Sequence, residues 1–199
     1  MDVDDVARFW NDAADGFDDE PDHGLRDPGV RRAWLDLLSS VLPPAPSRVA
    51  DLGCGTGTLS VLLAQAGYAV HGVDIASRML RRAAAKATAA QVRAGFAVAN
   101  VADPPFGRGT FDVVLARHVV WALPDVATVL RRWLDLLAPG GLLVLVEGRW
   151  ETGTGLEARR LHALVSPLVR AAACRQLPDP ALWGGPIRDE RFMLVAWPW

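Results

Sequence analysis

Cysteine, lysine and tyrosine are scarce in this sequence of 199 residues, and charge of either sign is not in excess. The two cysteines, Cys54 and Cys174, lie far apart, which argues against a disulfide and favours free thiols in a reducing compartment. The 21 basic and 23 acidic residues give a net charge of -2, so the basic surface typical of nucleic-acid-binding proteins is missing. We therefore expect a small-molecule partner, and neither nucleic acid nor a membrane.

Long apolar runs are missing as well. No uninterrupted hydrophobic stretch has the length of a membrane span, and the N-terminus lacks the basic and apolar regions of a signal peptide. A cytoplasmic protein, monomeric or homodimeric, is the prediction. The hydrophobic content of 51%, with eight tryptophans, is sufficient for a core and for an aromatic pocket. The length suits one α/β domain.

The central stretch of the chain runs from Arg48 to Asp74. A short apolar strand leads into the glycine loop GCGTG, a helical pattern follows, and a second strand ends on Asp74. This layout is typical of sites for the adenosyl part of a cofactor. Thr58 stands where a dinucleotide-binding fingerprint has its last glycine, and the carboxylate of Asp51 would repel pyrophosphate but suits a cationic amine. Adenosine with an α-amino group indicates S-adenosylmethionine (SAM).

Strands and helices alternate along the rest of the chain, which predicts a Rossmann-like, doubly wound α/β sheet of seven strands, mostly parallel. The last two strands lack an intervening helix, so the final strand is predicted to be antiparallel. Residues 1–45 are predicted to form a helical lid and residues 46–199 the core, all in one domain. Further predictions are N-caps at Asp27 and Ser77, loops over 16–28 and 178–190, a helix over 124–137, a strand over 142–146, a helix over 156–170, and a solvated helix face bearing Arg78, Arg81, Arg82 and Lys86.

The ordered segments VADLGCGTG, GVD, NVADPPF, FDVVLARHVVWALPD and LAPGGLLVLVE closely resemble the motifs of class I SAM-dependent methyltransferases. The resemblance covers about residues 49–147, and the segment RFMLVA is similar to the family's last strand. It implies that Asp51 and the loop backbone hold the methionine amine and that Asp74 accepts the ribose hydroxyls. The full set of cofactor residues predicted is Asp51, Gly53, Cys54, Gly55, Thr56, Gly57, Asp74, Ile75, Met79, Asn100, Val101 and Arg117.

Two positions depart from the family pattern. Asn100 stands where an acid usually accepts from the adenine amino group, and Phe17 stands where relatives often carry tyrosine. An amide oxygen can still accept, so weakened SAM binding is expected. Ile75 and Met79 could flank adenine or simply pack in the core.

The methyl acceptor is predicted to bind outside the carboxyl ends of the strands. Its pocket residues are predicted to be Phe9, Trp10, Phe17, Trp121, Trp150 and Trp183, although some of these tryptophans must belong to the core. Aromatic walls suit a planar or apolar acceptor. His118, and after it His23, is the candidate general base, with a hydrogen-bonding wall residue as the alternative. No metal ligand is predicted.

Three hypotheses for function remain open from the sequence. The first is methyl transfer to nitrogen or oxygen of a small molecule. The second is a SAM-binding enzyme that catalyses another reaction, such as a cyclisation, and the third is a non-catalytic SAM-binding accessory subunit.

Overall fold

The computed structural model describes residues 2–199, which form one seven-stranded sheet flanked by helices. The strands are β1 Arg48–Leu52, β2 Ala69–Asp74, β3 Ala94–Val98, β4 Phe111–Arg117, β5 Leu137–Arg149, β6 Ala171–Gln176 and β7 Glu190–Trp197. The helices are α1 Val3–Ala13, α2 Pro21–Gly24, α3 Pro28–Ser39, α4 Thr58–Gln65, α5 Ser77–Ala89, α6 Val126–Asp135, α7 Ala158–Val165 and α8 Pro180–Trp183. Short 3-10 turns cover Phe17–Asp19, Val120–Ala122 and Ser166–Leu168.

The sheet has the order β3-β2-β1-β4-β5-β7-β6. The first five strands pair in parallel, and β7 runs antiparallel to both β5 and β6. The predicted doubly wound sheet with an antiparallel last strand is therefore confirmed. Within residues 2–199, no helix combines the length and the apolar character needed to cross a bilayer.

Alternate residues of the central strands supply the two halves of the core. Val113 of β4 packs with Trp34 of α3 on one face of the sheet, whereas Val114 packs with Trp133 of α6 on the other. All four of these residues are fully buried. Because both faces are covered, β4 needs apolar side chains at successive positions, as its sequence indicates.

Several predicted boundaries are wrong for local reasons. The predicted loop 16–28 contains a 3-10 turn and α2, and the predicted loop 178–190 contains α8. The sequence did not indicate these helices, because one turn is too short to show a hydrophobic period. The helix predicted over 124–137 begins at Val126, since Asp125 caps it by accepting from the Thr128 N–H at 3.2 Å. The helix predicted over 156–170 ends at Val165, before Pro167.

The two predicted caps differ in outcome. The Asp27 carboxylate accepts from the N–H groups of Gly29 and Val30, at 2.7 and 3.1 Å, so this N-cap is confirmed. Ser77 is the first residue of α5 and its side chain makes no capping hydrogen bond, so that N-cap is wrong. Strand β5 begins at Leu137 and not at the predicted 142. Leu137 already pairs with β4, and residues 138–141 form an irregularity within the strand before regular pairing resumes at Leu142.

Candidate active site

A cavity of about 600 Å³ opens at the carboxyl ends of β1, β2 and β4. A parallel sheet brings these strand ends to one edge, although the residues are far apart in the sequence. The predicted residues that line the cavity are Asp51, Gly53, Cys54, Gly55, Thr56, Asp74, Ile75, Met79, Asn100, Val101, Arg117, Trp10, Phe17, His23, His118, Trp121 and Trp150.

The glycine loop lies directly against the segment that follows β4. Gly53 has a φ of +73°, and a Cβ on it would lie 2.4 Å from a methyl group of Val119. The N–H groups of Gly53 and Cys54 donate to the Val73 carbonyl at 2.8 and 3.0 Å, which fixes the loop to the end of β2. Only glycine allows this approach. The Cys54 thiol stays neutral, because burial raises its pKa well above the ordinary value.

Gly57, a predicted cofactor residue, is not among the residues that line the cavity. A Cβ there would lie 2.5 Å from the Ala83 Cβ, and φ is +73°. This glycine is needed for close packing of the loop on α5 and for a left-handed backbone. Its role in the structure is packing.

Asp51 is a buried carboxylate at the end of β1. Only 3% of the residue is exposed, and the Ser60 hydroxyl donates to its Oδ2 at 2.5 Å. Burial raises the pKa of Asp51 to about 6, although the Ser60 hydrogen bond and the charge of Arg117 act in the opposite direction. Above that pH the side chain is an anion aimed at the cavity.

Asp74 is a second buried carboxylate, held in a fixed orientation by the backbone. Its Oδ2 accepts from the Gly55 N–H at 2.9 Å, and its Oδ1 accepts from the Ala76 N–H at 2.8 Å. Burial raises the pKa of Asp74, whereas these N–H groups act to lower it. Each oxygen keeps a further lone pair for a ligand donor.

The N-terminal segment is fastened over the glycine loop by polar contacts. Asp18 is buried and accepts from the Thr56 hydroxyl at 2.6 Å and from Lys86 Nζ at 2.8 Å. Arg78 and Arg82 of α5 pair with Asp15, at 2.5 and 2.7 Å. The predicted solvated face of α5 is thus wrong for these residues, because it is the docking surface for residues 11–18.

The far end of the cavity is aromatic. The His23 ring stacks on Phe17, with centroids 4.4 Å apart, and lies 6.2 Å from the His118 ring. Trp150 packs edge-on against His118 at 5.2 Å and against Trp121 at 5.7 Å. Burial lowers the pKa of His118 well below its ordinary value and also lowers that of His23, so both imidazoles are neutral near pH 7.

Two predicted pocket residues lie elsewhere. Phe9 is 57% exposed, because Val3, Val6 and Trp10 occupy the face of α1 that meets the cavity and Phe9 points to a different side. Trp183 belongs to the core: its ring packs edge-on against Trp34 at 5.4 Å. The Trp183 ring also stacks on the His118 ring, with the two centroids 6.1 Å apart.

Glu147 at the end of β5 supports the site without lining it. It is fully buried, and its Oε1 accepts from the N–H groups of Val119 and Val120 at 2.9 and 2.6 Å. Burial raises its pKa to about 8. His118 precedes this anchored turn and has a φ of +60°, a strained conformation for a side chain with a Cβ. Glu147 thereby holds the backbone that presents His118.

Sequence reasoning did not identify Asp18, Asp22 or Lys86 as site residues. Asp18 and Asp22 come from the segment read as a loop, and their positions depend on long-range packing. Lys86 gave one signal, since it is the single lysine of the chain. Its ammonium group reaches the Thr58 hydroxyl at 2.6 Å as well as Asp18.

Asn100 offers a test of the cofactor end. Its Oδ1 accepts from the Ala102 N–H at 2.9 Å, so one lone pair of that oxygen and the amide nitrogen are left for a ligand. We expect Asn100→Asp to bind SAM about fivefold more tightly, because a carboxylate keeps that turn and adds an acceptor for the adenine amino group. Calorimetric titration measures the affinity, with Asn100→Ala as the control that should show no gain. Equal or weaker binding by Asn100→Asp would contradict this position for adenine.

Comparison with known proteins agrees with this geometry. Residues 50–145 match the family described as a methyltransferase domain. The chain is 34% identical over 139 residues to a ubiquinone biosynthesis O-methyltransferase of Xanthomonas axonopodis pv. citri (strain 306), covering 69% of this chain and 55% of the relative. The chain thus spans about half the length of the curated relatives it matches.

Solved structures share the fold at low sequence identity. The [4+2]-cyclase SpnF has a TM-score of 0.70 at 17% identity, with 84% of this chain and 81% of that chain covered. Magnesium protoporphyrin IX methyltransferase from Synechocystis PCC 6803, solved with bound SAM, has a TM-score of 0.64 at 22% identity, with 85% and 80% covered. The glycine loop, the strand order and the family match together show that residues 50–145 form a methyltransferase domain of the class I SAM-dependent type.

Proposed function

We propose that this chain transfers a methyl group from SAM to nitrogen or oxygen of a small, partly aromatic or apolar molecule. The observation that carries the proposal is one cavity with two buried carboxylates at one end and two histidines among aromatic rings at the other. Relatives such as the Xanthomonas protein are named as O-methyltransferases, which supports oxygen as the acceptor atom.

The residues present fit SAM. Asp51 suits the cationic amine, because its carboxylate is buried at the end of the strand before the glycine loop. Asp74 suits the two ribose hydroxyls, since both of its oxygens are oriented by backbone donors. The buried guanidinium of Arg117 suits the methionine carboxylate, and Ile75, Met79, Asn100 and Val101 form the adenine walls.

Bound SAM supplies a methyl group on a positively charged sulfur. The protein's part is to align the acceptor with that methyl group and to exclude water. We infer that residues 1–45 act as a lid within the same domain as residues 46–199, because the Asp18 and Asp15 contacts fasten this segment beside the cavity. A monomer or homodimer in the cytoplasm, acting on a small molecule and not on nucleic acid, completes the proposal.

His118 and His23 are the groups proposed to act on the acceptor. A hydroxyl or an ammonium group must lose a proton before its lone pair can attack, and an imidazole nitrogen can assist that loss. The His118 Nε2 and the His23 Nδ1 are buried and lack hydrogen-bond partners within the protein. These atoms are therefore available to a ligand.

Labelled SAM, incubated with the protein and a panel of phenols, catechols and amines, tests the function directly. Transfer of label to an acceptor is the expected result. SAM binding without transfer to any acceptor would favour another SAM-dependent reaction or an accessory role. Failure to bind SAM would overturn the proposal.

His118→Ala is expected to lower the methylation rate about 100-fold while leaving SAM affinity nearly unchanged. The reason is that His118 lies at the aromatic end of the cavity and Asp51 at the other. His162→Ala is a matched control, since that histidine lies on α7 and its ring meets Ser166. Near-normal turnover of His118→Ala would remove this residue from the mechanism.

A further inference from the structure

Asp22, His23 and His118 lie together, and each has one buried polar atom without a hydrogen-bond partner. One ligand atom from each residue lies within 4.8 Å of the other two. Four buried side-chain polar atoms in residues 2–199 have no hydrogen-bond partner, and three of them are Asp22 Oδ2, His23 Nδ1 and His118 Nε2. An unpaired buried polar group destabilises the fold, so the convergence of three such groups at one place points to a bound ligand.

The surrounding structure holds both imidazole rings in position. The His118 ring stacks on Trp183 and meets the edge of Trp150, while the His23 ring stacks on Phe17. The backbone of Asp22 is also held, because its carbonyl accepts from Arg117 Nη1 at 2.5 Å. The ligating groups are therefore positioned by packing before a ligand arrives.

We propose that Asp22, His23 and His118 bind one divalent transition-metal ion, for which Zn²⁺ is the best chemical match. Two imidazoles and one carboxylate suit zinc and its neighbours, whereas Mg²⁺ and Ca²⁺ prefer sets made of oxygen ligands. Three protein ligands leave a coordination position open. That position faces the cavity, which His23 and His118 line.

The local charge balance allows a cation. Arg117 opposes one, but its guanidinium lies 4.9 Å from the centre of the Trp34 ring and bonds to the Asp22 carbonyl. Its charge is countered by the carboxylates of Asp22, Asp51 and Asp18. The metal ion would add its charge to a region that already holds three acids.

The open position gives the metal ion a role in methyl transfer. A divalent metal ion lowers the pKa of a hydroxyl bound to it, so the proton of the acceptor would leave to solvent and the oxygen lone pair would attack the methyl carbon as its bond to sulfur breaks. This role rests on the proposed function, and it replaces direct proton acceptance by His118 and His23, because their free nitrogens would hold the ion instead. Binding of the ion does not rest on that function, and it is measured separately.

Titration of untagged, chelator-treated protein with Co²⁺ tests the site, with visible absorption as the readout and Zn²⁺ as the competitor. We expect one Co²⁺ per chain, displaced by Zn²⁺ and not by Mg²⁺. His118→Ala and Asp22→Asn should each weaken Co²⁺ binding about 100-fold or more, because removal of a ligand costs at least as much as removal of its supporting partner. His162→Ala should bind as the unchanged protein does.

Calorimetric binding of S-adenosylhomocysteine shows that each variant is folded. Absence of a Co²⁺ spectrum in the unchanged protein, or equal binding by His118→Ala and Asp22→Asn, would overturn the metal site. If protein that binds no metal ion still transfers the methyl group, the proposed function holds and the metal site is overturned. Co²⁺ binding without any methylated acceptor would support the site and count against the function.

Discussion

Asp51→Asn should weaken the binding of SAM about 100-fold, which corresponds to about 3 kcal/mol. The carboxylate of Asp51 is buried, so its attraction for a cationic amine is screened less than at the surface. Asparagine has nearly the same shape but no charge. Its amide has one acceptor oxygen in place of two, so it cannot accept as well from both the Ser60 hydroxyl and the ligand amine. The loss should appear in the dissociation constant measured by calorimetry.

Asp112→Asn is the matched control. Asp112 lies near the start of β4, at the end of the strands opposite to the cavity, and its carboxylate pairs with Arg48 at 2.9 Å. SAM affinity should stay unchanged in this variant. If Asp51→Asn binds SAM as tightly as Asp112→Asn does, Asp51 does not hold the amine.

The pKa of Asp51 adds a pH dependence with a definite sign. The pKa is raised to about 6, so the anion that pairs with the amine is lost as the pH falls below that value. SAM binding should therefore be about tenfold weaker at pH 5 than at pH 7. Asp51→Asn should lack this change of SAM affinity with pH. If SAM affinity varies with pH in the same way in Asp51→Asn and in the unchanged protein, Asp51 is not the group that titrates.

Glu147→Ala should lower the free energy of unfolding by about 3–5 kcal/mol, because the buried N–H groups of Val119 and Val120 lose their acceptor and a cavity is left. The melting temperature should fall by about 10 °C. The anchored turn presents His118 and places the Val119 side chain against Gly53. Methyl transfer should therefore fall even at temperatures where the variant is folded.

Glu147→Gln separates the hydrogen bonds from the ionisation. Its amide oxygen can accept from both N–H groups, as the protonated carboxyl group does, so we expect stability within about 1 kcal/mol of the unchanged protein near pH 4.5, where Glu147 is protonated in the folded state. The pKa of Glu147 is raised from 4.5 to about 8 in the folded state. Protonation thus stabilises the fold, fully below pH 4.5, and this contribution is lost as the pH rises to about 8.

Urea denaturation across that range measures the difference. The unchanged protein should lose stability between about pH 4.5 and 8 relative to Glu147→Gln, which has no group to ionise at this position. A constant difference between the two proteins over the range would show that Glu147 does not titrate as its burial implies.

The residues that line the carboxylate end of the cavity could nearly all be predicted from the sequence. Asp51, the glycine loop and Asp74 lie within 24 residues along the chain, and strand, turn and helix geometry fixes how such neighbours lie in space. Gly57 is the exception. Its contact with Ala83 depends on how the glycine loop packs against α5, which lies further along the chain.

The aromatic end could be predicted only in part. Trp121 and Trp150 follow the ends of β4 and β5, so the order of the strands places them at the cavity. Phe9 and Trp183 were equally plausible by residue type. Which side of α1 faces inward, and which tryptophan fills the core, is decided by packing against other elements.

By itself, the sequence determined the sheet, the glycine loop and the two carboxylates, because hydrophobic period and turn chemistry act between neighbours in the chain. Only the tertiary structure decided that Asp18 and Lys86 fasten the N-terminal segment to α5, that Glu147 holds the turn bearing His118, and that Asp22 and His23 meet His118. These contacts join residues that lie from 27 positions apart, for Val120 and Glu147, to 96 positions apart, for Asp22 and His118. Their formation depends on burial and charge pairing in the folded protein, which local pattern does not encode.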